Sequence, residues 1–289
     1  MPIYNWLRII LSIASLISFI PQIQGIISKR SSAGISLAYM LLNTISATEQ
    51  FAVGFYFIVT HNDDTDFFVS EPRNFGDWLN LAQPTIVWLM FLILQDSQLL
   101  LVCLLLSKLS VLTRTSFALC LWYAPSTAPK KRIVALYSSF LLISVVPVLI
   151  DFLSPFKDPD EDFWANVVFS FVHTQYVNPL VTCGAIAALY FQWYNAAAAA
   201  LSQDGLVVQA VVFAIVALSW TARLRFQLEG GEGHEVGPPP GSGLWVVMWL
   251  RAWYEFVGWA AVDNGVFALV QAALLYRRRH ETGVKLGGE

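Results

Sequence analysis

Apolar runs of about 20 residues, repeated along the chain, constrain this sequence more than any other feature, because an α-helix of that length crosses the hydrocarbon of a bilayer. The runs are separated by short charged loops, a pattern foreign to a soluble multi-domain enzyme. Composition agrees. Of 289 residues, 56% are apolar and 13% charged, against roughly 25% charged in an average soluble domain. A net charge of −3 with 14% aromatics excludes a disordered chain, a coiled coil and a nucleic-acid binder with a basic face. Cys103, Cys120 and Cys183 are too scattered for a disulfide framework or a zinc site. The expected fold class is an all-α polytopic membrane protein with no metal, no cofactor and membrane lipid as its surroundings.

Candidate spans run over 5–27, 35–60, 77–94, 133–153, 163–193, 206–224 and 257–276. The first has only Arg8 as a basic flank and no small-x-small cleavage site after it, so a retained helix is expected rather than a signal peptide. The apolar stretch at 98–124 is interrupted by Lys108 and Arg114, and a charge at mid-bilayer costs about 2.5–3.5 kcal/mol on insertion scales. It is expected to finish helix 3 and continue as an amphipathic interfacial segment, with an eighth span as the alternative. Residues 243–256 carry Arg251 and Glu255, spaced for an i, i+4 pair, and are expected to extend helix 7 beyond the hydrocarbon.

Loop charges orient the helices, because cytoplasmic loops collect Lys and Arg. Lys29 and Arg30 fall on one side, with Lys108, Arg114, Lys130, Lys131 and Arg132, and with Arg277, Arg278, Arg279 and Lys285. Asp63, Asp64, Asp66 and Glu71 fall on the other, with Asp158, Asp160, Glu161 and Asp162, and with Glu229, Glu232 and Glu235. The alternation fits seven spans, N-terminus lumenal and C-terminus cytosolic.

The sequence also repeats itself weakly. Gly34-Ile35-Ser36 opens helix 2, with Asn43 two helical turns after the Ser; Ala200-Leu201-Ser202 precedes helix 6, with Gln209 at the same spacing. The two copies imply parallel three-helix bundles, helices 1–3 and 5–7, joined by an inverting helix 4, an arrangement found in transporters.

Near the end of helix 1 the chain reads Ser18-Phe19-Ile20-Pro21-Gln22, followed by Lys29, Ser31, Ser32, Gly34 and Ser36. This resembles the PQ-loop repeat signature, a Pro-Gln pair in a helix followed by a basic and Ser-rich stretch and a Gly-x-Ser. That family is related to the SWEET sugar transporters and includes cystinosin and vacuolar exporters of basic amino acids. Trp259-Ala260-Ala261-Val262-Asp263-Asn264 in helix 7 resembles its fungal branch. The resemblance divides the chain into a first bundle with the PQ loop (1–107), an interfacial stretch and linker helix (108–160), a second bundle (161–277) and a cytosolic tail (278–289). It also implies vacuolar, lysosomal or other endomembrane residence. No Pro-Gln pair stands at the corresponding place before Ser202; Gln192-Trp193-Tyr194-Asn195 is the nearest candidate, so the second loop is expected either to be degenerate or to lack a piece.

Pro21 lacks an N–H and collides with the carbonyl of Ile17, so the helix must bend there, and Gln22 carries donors and an acceptor for the freed backbone. A hinge for alternating access is one reading and a static kink the other. A second proline, Pro84 after Gln83, marks a structural kink in helix 3. Glu49 and Asp263 each lie roughly 20 Å from the cytoplasmic boundary at 1.5 Å rise per residue. Intramembrane acids mark ion or proton paths by default, and the resemblance implies the same, since proton-coupled members use carboxylates in these helices; packing acids are the alternative. Asn43, Gln209 and Asn264 are candidate cavity-lining groups or simple interhelical hydrogen bonders. His173 is a candidate proton relay, or a packing group. No nucleophile, metal or phosphate-binding constellation supports an enzyme. The expected function is alternating-access transport of a small polar solute such as an amino acid, coupled to protons; a sugar uniporter and a non-transporting seven-helix receptor or scaffold are the alternatives.

Overall fold

The computed structural model describes residues 4–29, 31–32, 34–59, 74–92, 129–153, 167–194, 201–223, 242–254 and 258–286. Every regular element among them is a helix. The first span is built as α1 (Asn5–Ser18) and α2 (Ile20–Lys29), divided at Phe19. The cause is local. Without a proline N–H the regular ladder cannot close onto Ile17, and the Phe19 N–H turns to the Leu16 carbonyl at 3.3 Å. A second division falls at Val145, just before Pro147, between α5 (Lys130–Ser144) and α6 (Val146–Leu153). Pro84 has no such effect: α4 (Phe75–Phe91) runs through it undivided. Its first turn is closed by a capping box, Asn74 Oδ1 accepting from the Asp77 N–H at 3.2 Å and Asp77 Oδ2 accepting from the Asn74 N–H at 2.8 Å.

The remaining elements are α3 (Leu37–Val59), a π-helical turn His173–Val177 leading into α7 (Asn178–Trp193), α8 (Gln203–Arg223), α9 (Gly243–Trp253) and α10 (Trp259–Leu286). The last helix outruns the expected end of its span at residue 276, because an Arg277–Glu281 ion pair one turn apart, 2.7 Å, carries it onward. The 98–124 stretch, Asn195 and Glu255 lie outside the described residues.

Among the described residues, four stretches are long and apolar enough to cross a membrane: Asn5–Lys29, Lys130–Leu153, Gln203–Arg223 and Trp259–Glu281. Their outward faces are aliphatic, with Ile10, Ile13 and Ile17 exposed on the first, Leu142, Ile143 and Ile150 on the second, and Val211, Ile215 and Leu218 on the third. Such faces suit lipid. α3 is as long but carries Asn43, Thr44, Ser46, Thr48, Glu49 and Gln50 in succession, all buried. Its polarity follows from position, since it is packed between other helices and owes little to lipid.

α1 packs on α4 and α4 on α3; α8 packs on α10 and α10 on α7. The two groups meet where α3 lies on α7 and α1 on α8, while α5 flanks α3. Two apolar cores result. One contains Phe19, Ile23, Tyr39, Phe91, Leu201, Phe213 and Phe267; the other contains Leu11, Val53, Tyr56, Leu81, Trp220 and Trp259. Along α1, α3, α4 and α10 the residues between these cores are polar and buried: Ser15, Glu49, Gln83, Asp263 and Asn264. The fold thus sandwiches a polar layer between two hydrophobic ones, and that layer holds the candidate site.

Candidate functional site

At the Pro21 end, two glutamines clasp the two groups of helices together. Gln22 Oε1 accepts from the Ser202 N–H at 3.1 Å. Gln192 Oε1 accepts from the Ser36 N–H at 2.8 Å, and Gln192 Nε2 donates to the Gly34 carbonyl at 2.7 Å. Each serine is an N-cap as well, Ser36 Oγ accepting from the Tyr39 N–H at 3.4 Å and Ser202 Oγ from the Gly205 N–H at 3.3 Å. Each helix start is therefore capped internally by its own Ser and externally by a Gln from the opposite group. Gly34 has φ 91°, a left-handed conformation open to glycine at little cost, and it presents its carbonyl to Gln192. Beside the clasp Arg278 donates to the Leu201 carbonyl, and Arg277 sits 5.4 Å from the Trp193 ring centroid.

Next comes a ring of four phenyl groups, one from each of four helical segments. Phe19 meets Phe91 at 5.0 Å, Phe91 meets Phe267 at 5.6 Å, Phe267 meets Phe213 at 4.6 Å, and Phe213 returns to Phe19 at 6.0 Å, all steeply inclined. Edge-to-face contacts of this kind stabilise beyond the area they bury. Between clasp and ring lies a cavity of about 20 Å³ bounded by Gln22, Tyr39, Gln209 and Gln271 among others. That is room for a water molecule and not for a solute.

Beyond the ring sit the two acids. Glu49 is fully buried, its Oε1 2.7 Å from His173 Nδ1, its Oε2 without a partner among the described residues. His173 stacks on Phe169 at 4.0 Å, in the π-helical turn that re-aims the side chains before α7. Asp263 Oδ1 accepts from the Thr182 hydroxyl at 2.5 Å, and Tyr254 OH lies 2.8 Å from the same Thr182 oxygen. Thr182 has one proton, so with Asp263 taking it Tyr254 donates to Thr182. Asp263 Oδ2 and both amide atoms of nearby Asn178, a residue 1% exposed, have no partner among the described residues. Buried polar atoms left without a hydrogen-bond partner are costly.

The structure distributes the remaining expected residues. Gln209 lines the cavity. Asn264 Nδ2 donates to Gln50 Oε1 at 3.1 Å and to the Ala260 carbonyl at 2.6 Å. Asn43 Nδ2 donates back to the Tyr39 carbonyl, one turn earlier, at 2.7 Å. Asn43 and Asn264 are thus engaged in helix–helix and helix–backbone bonds, away from the lining. His173 is drawn into the site by Glu49. Arg251 donates to Gln175 Oε1 at 2.9 Å; its expected partner Glu255 lies outside the described residues. Thr182, Asn178, Tyr254, Gln271 and the four phenylalanines escape sequence reasoning; the alternation of Phe19, Phe91, Phe213 and Phe267 over distant segments leaves no local pattern.

Thr182→Val strips Asp263 Oδ1 and Tyr254 of their shared partner. A buried acceptor left unmade costs about 1–3 kcal/mol, so the thermal midpoint of the purified protein is expected to fall, whereas Thr182→Ser keeps it.

The fold and site define a class: an integral membrane protein of helices, two groups of which are tied by reciprocal side-chain caps around a buried polar layer. Residues 3–64 are similar to the PQ loop repeat and match its family model. The match takes in Pro21, Gln22, Ser36 and Glu49. No curated protein and no solved structure matches the chain.

Proposed function

We propose that the protein is an alternating-access carrier for a small polar solute such as an amino acid, coupled to protons through Glu49 with His173 and through Asp263. The observation that carries this reading is the pair of buried carboxylates, each with one oxygen bonded and the other unpartnered among the described residues, on α3 and α10. A packing acid satisfies its lone pairs; an acid that loads and unloads a proton keeps one site open. The clasp and the phenyl ring supply a closed end, and the division at Phe19 supplies the place to bend. Gln192 serves as the glutamine of a second, proline-free loop, since it does for Ser36 what Gln22 does for Ser202. In this scheme α1 and α2 swing about Phe19, the clasp parts, and the solute leaves on the cytosolic side of an endomembrane.

Counterflow by the purified protein in vesicles, run with a panel of amino acids and sugars at several pH values, tests the reading. Flux of at least one solute is expected to depend on pH, and Asp263→Asn is expected to remove that dependence. No flux of any solute overturns the carrier, and flux indifferent to pH in the unmodified protein overturns the coupling. Pro21→Ala restores an N–H for the Ile17 carbonyl; a helix made continuous at Phe19 is expected to gain stability, since an interior proline costs about 3 kcal/mol, and to lose turnover. Pro84→Ala, in a helix already undivided, serves as the control with flux retained.

A further inference from the structure

The end of the molecule away from the clasp holds an arrangement that transport does not use. Arg223, the last residue of α8, is 7% exposed, and its Nε, Nη1 and Nη2 have no hydrogen-bond partner among the described residues. Its guanidinium lies over Trp220, 4.7 Å from the ring centroid. The charge that acts on it is another cation: Arg8 of α1, itself 8% exposed. Arg8 has a counter-charge in Asp77, whose Oδ2 already accepts from the Asn74 N–H. A methyl group on Gly76 would collide with Arg8 Nη1, so α4 is shaped to hold this guanidinium in place.

An arginine does not shed its proton in a protein, so burial cannot neutralise it. A buried charge without a partner is strongly destabilising, and a like charge beside it adds to the cost. A helix C-terminus favours a cation, yet no carbonyl of α8 takes the guanidinium protons. What is missing is an acceptor. The flat fork of a guanidinium matches the paired oxygens of a phosphate or carboxylate.

We propose that Arg223 and Arg8 form a binding site for a compact oxyanion, a phosphate or carboxylate group, seated between the start of α1 and the end of α8. The group is carried either by an anionic lipid headgroup or by a free anion, and the two sources offer the same oxygens. The site requires no solute flux, so it stands or falls apart from the carrier reading. Glu229, Glu232 and Glu235 follow Arg223 in the chain and are the internal competitors that the experiment must separate.

The test is the thermal midpoint of the purified full-length chain. One arm uses neutral detergent with inorganic phosphate against chloride at equal ionic strength; the other uses nanodiscs of phosphatidylcholine with and without phosphatidic acid. An upward shift of several degrees is expected in at least one arm: in the first for a free anion, in the second alone for a headgroup. Arg223→Gln is expected to raise the midpoint without anion, by removing the unpaired charge, and to abolish the shift, while Arg223→Lys keeps part of it. Arg8→Gln repeats the test should Arg223→Gln fail to fold. Absence of any shift in the unmodified protein overturns the proposal, as internal pairing by a glutamate predicts. An equal shift in both glutamine variants overturns it too.

Discussion

If the protein is the proton-coupled carrier proposed above, Glu49→Gln is expected to leave it folded and to remove the advantage that a pH gradient gives to solute accumulation. The change is isosteric, and a Gln amide at this position still bonds to His173 Nδ1, now 2.7 Å from Glu49 Oε1. Packing around a fully buried side chain is preserved. What is lost is the oxygen that takes a proton. If one proton moves with each solute, one pH unit corresponds to about 1.4 kcal/mol, or about tenfold in accumulation. The variant should lose that factor while exchange at equal pH continues. His173→Ala acts in the opposite way. It leaves Glu49 with neither oxygen bonded among the described residues, and a buried group left unsatisfied costs about 1–3 kcal/mol, so the thermal midpoint should drop. Full gradient stimulation in Glu49→Gln would reduce Glu49 to a packing group.

The second large effect belongs to the clasp. Gln192→Ala removes two hydrogen bonds at once and leaves the Ser36 N–H and the Gly34 carbonyl without the groups that now satisfy them. At about 1–3 kcal/mol for each orphaned group, the closed arrangement loses enough to move a two-state equilibrium by a factor of ten or more. Gln22→Ala removes a single longer bond, 3.1 Å, and should do less. Leu201, 3% exposed and next to Ser202, reports the outcome. In a background with the native cysteines replaced, Leu201→Cys should react with a polar thiol reagent more than about tenfold faster when Gln192 is Ala. Unchanged labelling would mean that the phenyl ring, and not the clasp, holds this end closed.

These residues differ in how visible they were in the sequence. Long apolar runs declare membrane helices because the requirement is set by bilayer thickness and acts on every span separately. Pro21 announces its break because proline acts on the carbonyl four residues back, within one segment. Ser36 and Ser202 are legible as caps because a cap needs only its own helix start. Glu49 and Asp263 stand out by being charged inside apolar surroundings. All of these signals are local or compositional.

Partnership is not. Gln192 is a clasp residue because α7 brings it to Gly34 and Ser36, and its loop lacks the proline and runs closer to its serine than the first loop does, so pattern matching passes over it. His173 belongs to Glu49, and Thr182 to Asp263, through helix rotation and the re-aiming by the π-helical turn. Asn43, by contrast, spends its amide on its own helix backbone. Arg223 is unremarkable in the sequence as a helix-terminal cation, and only the approach of α1 beside α8 sets it against Arg8 in a buried place. The sequence by itself determined the solvent, the helices, the site of bending and which side chains are costly to bury. The tertiary structure alone decided which of those costly groups meet, because contact between helices depends on rotation and depth, which no single segment encodes.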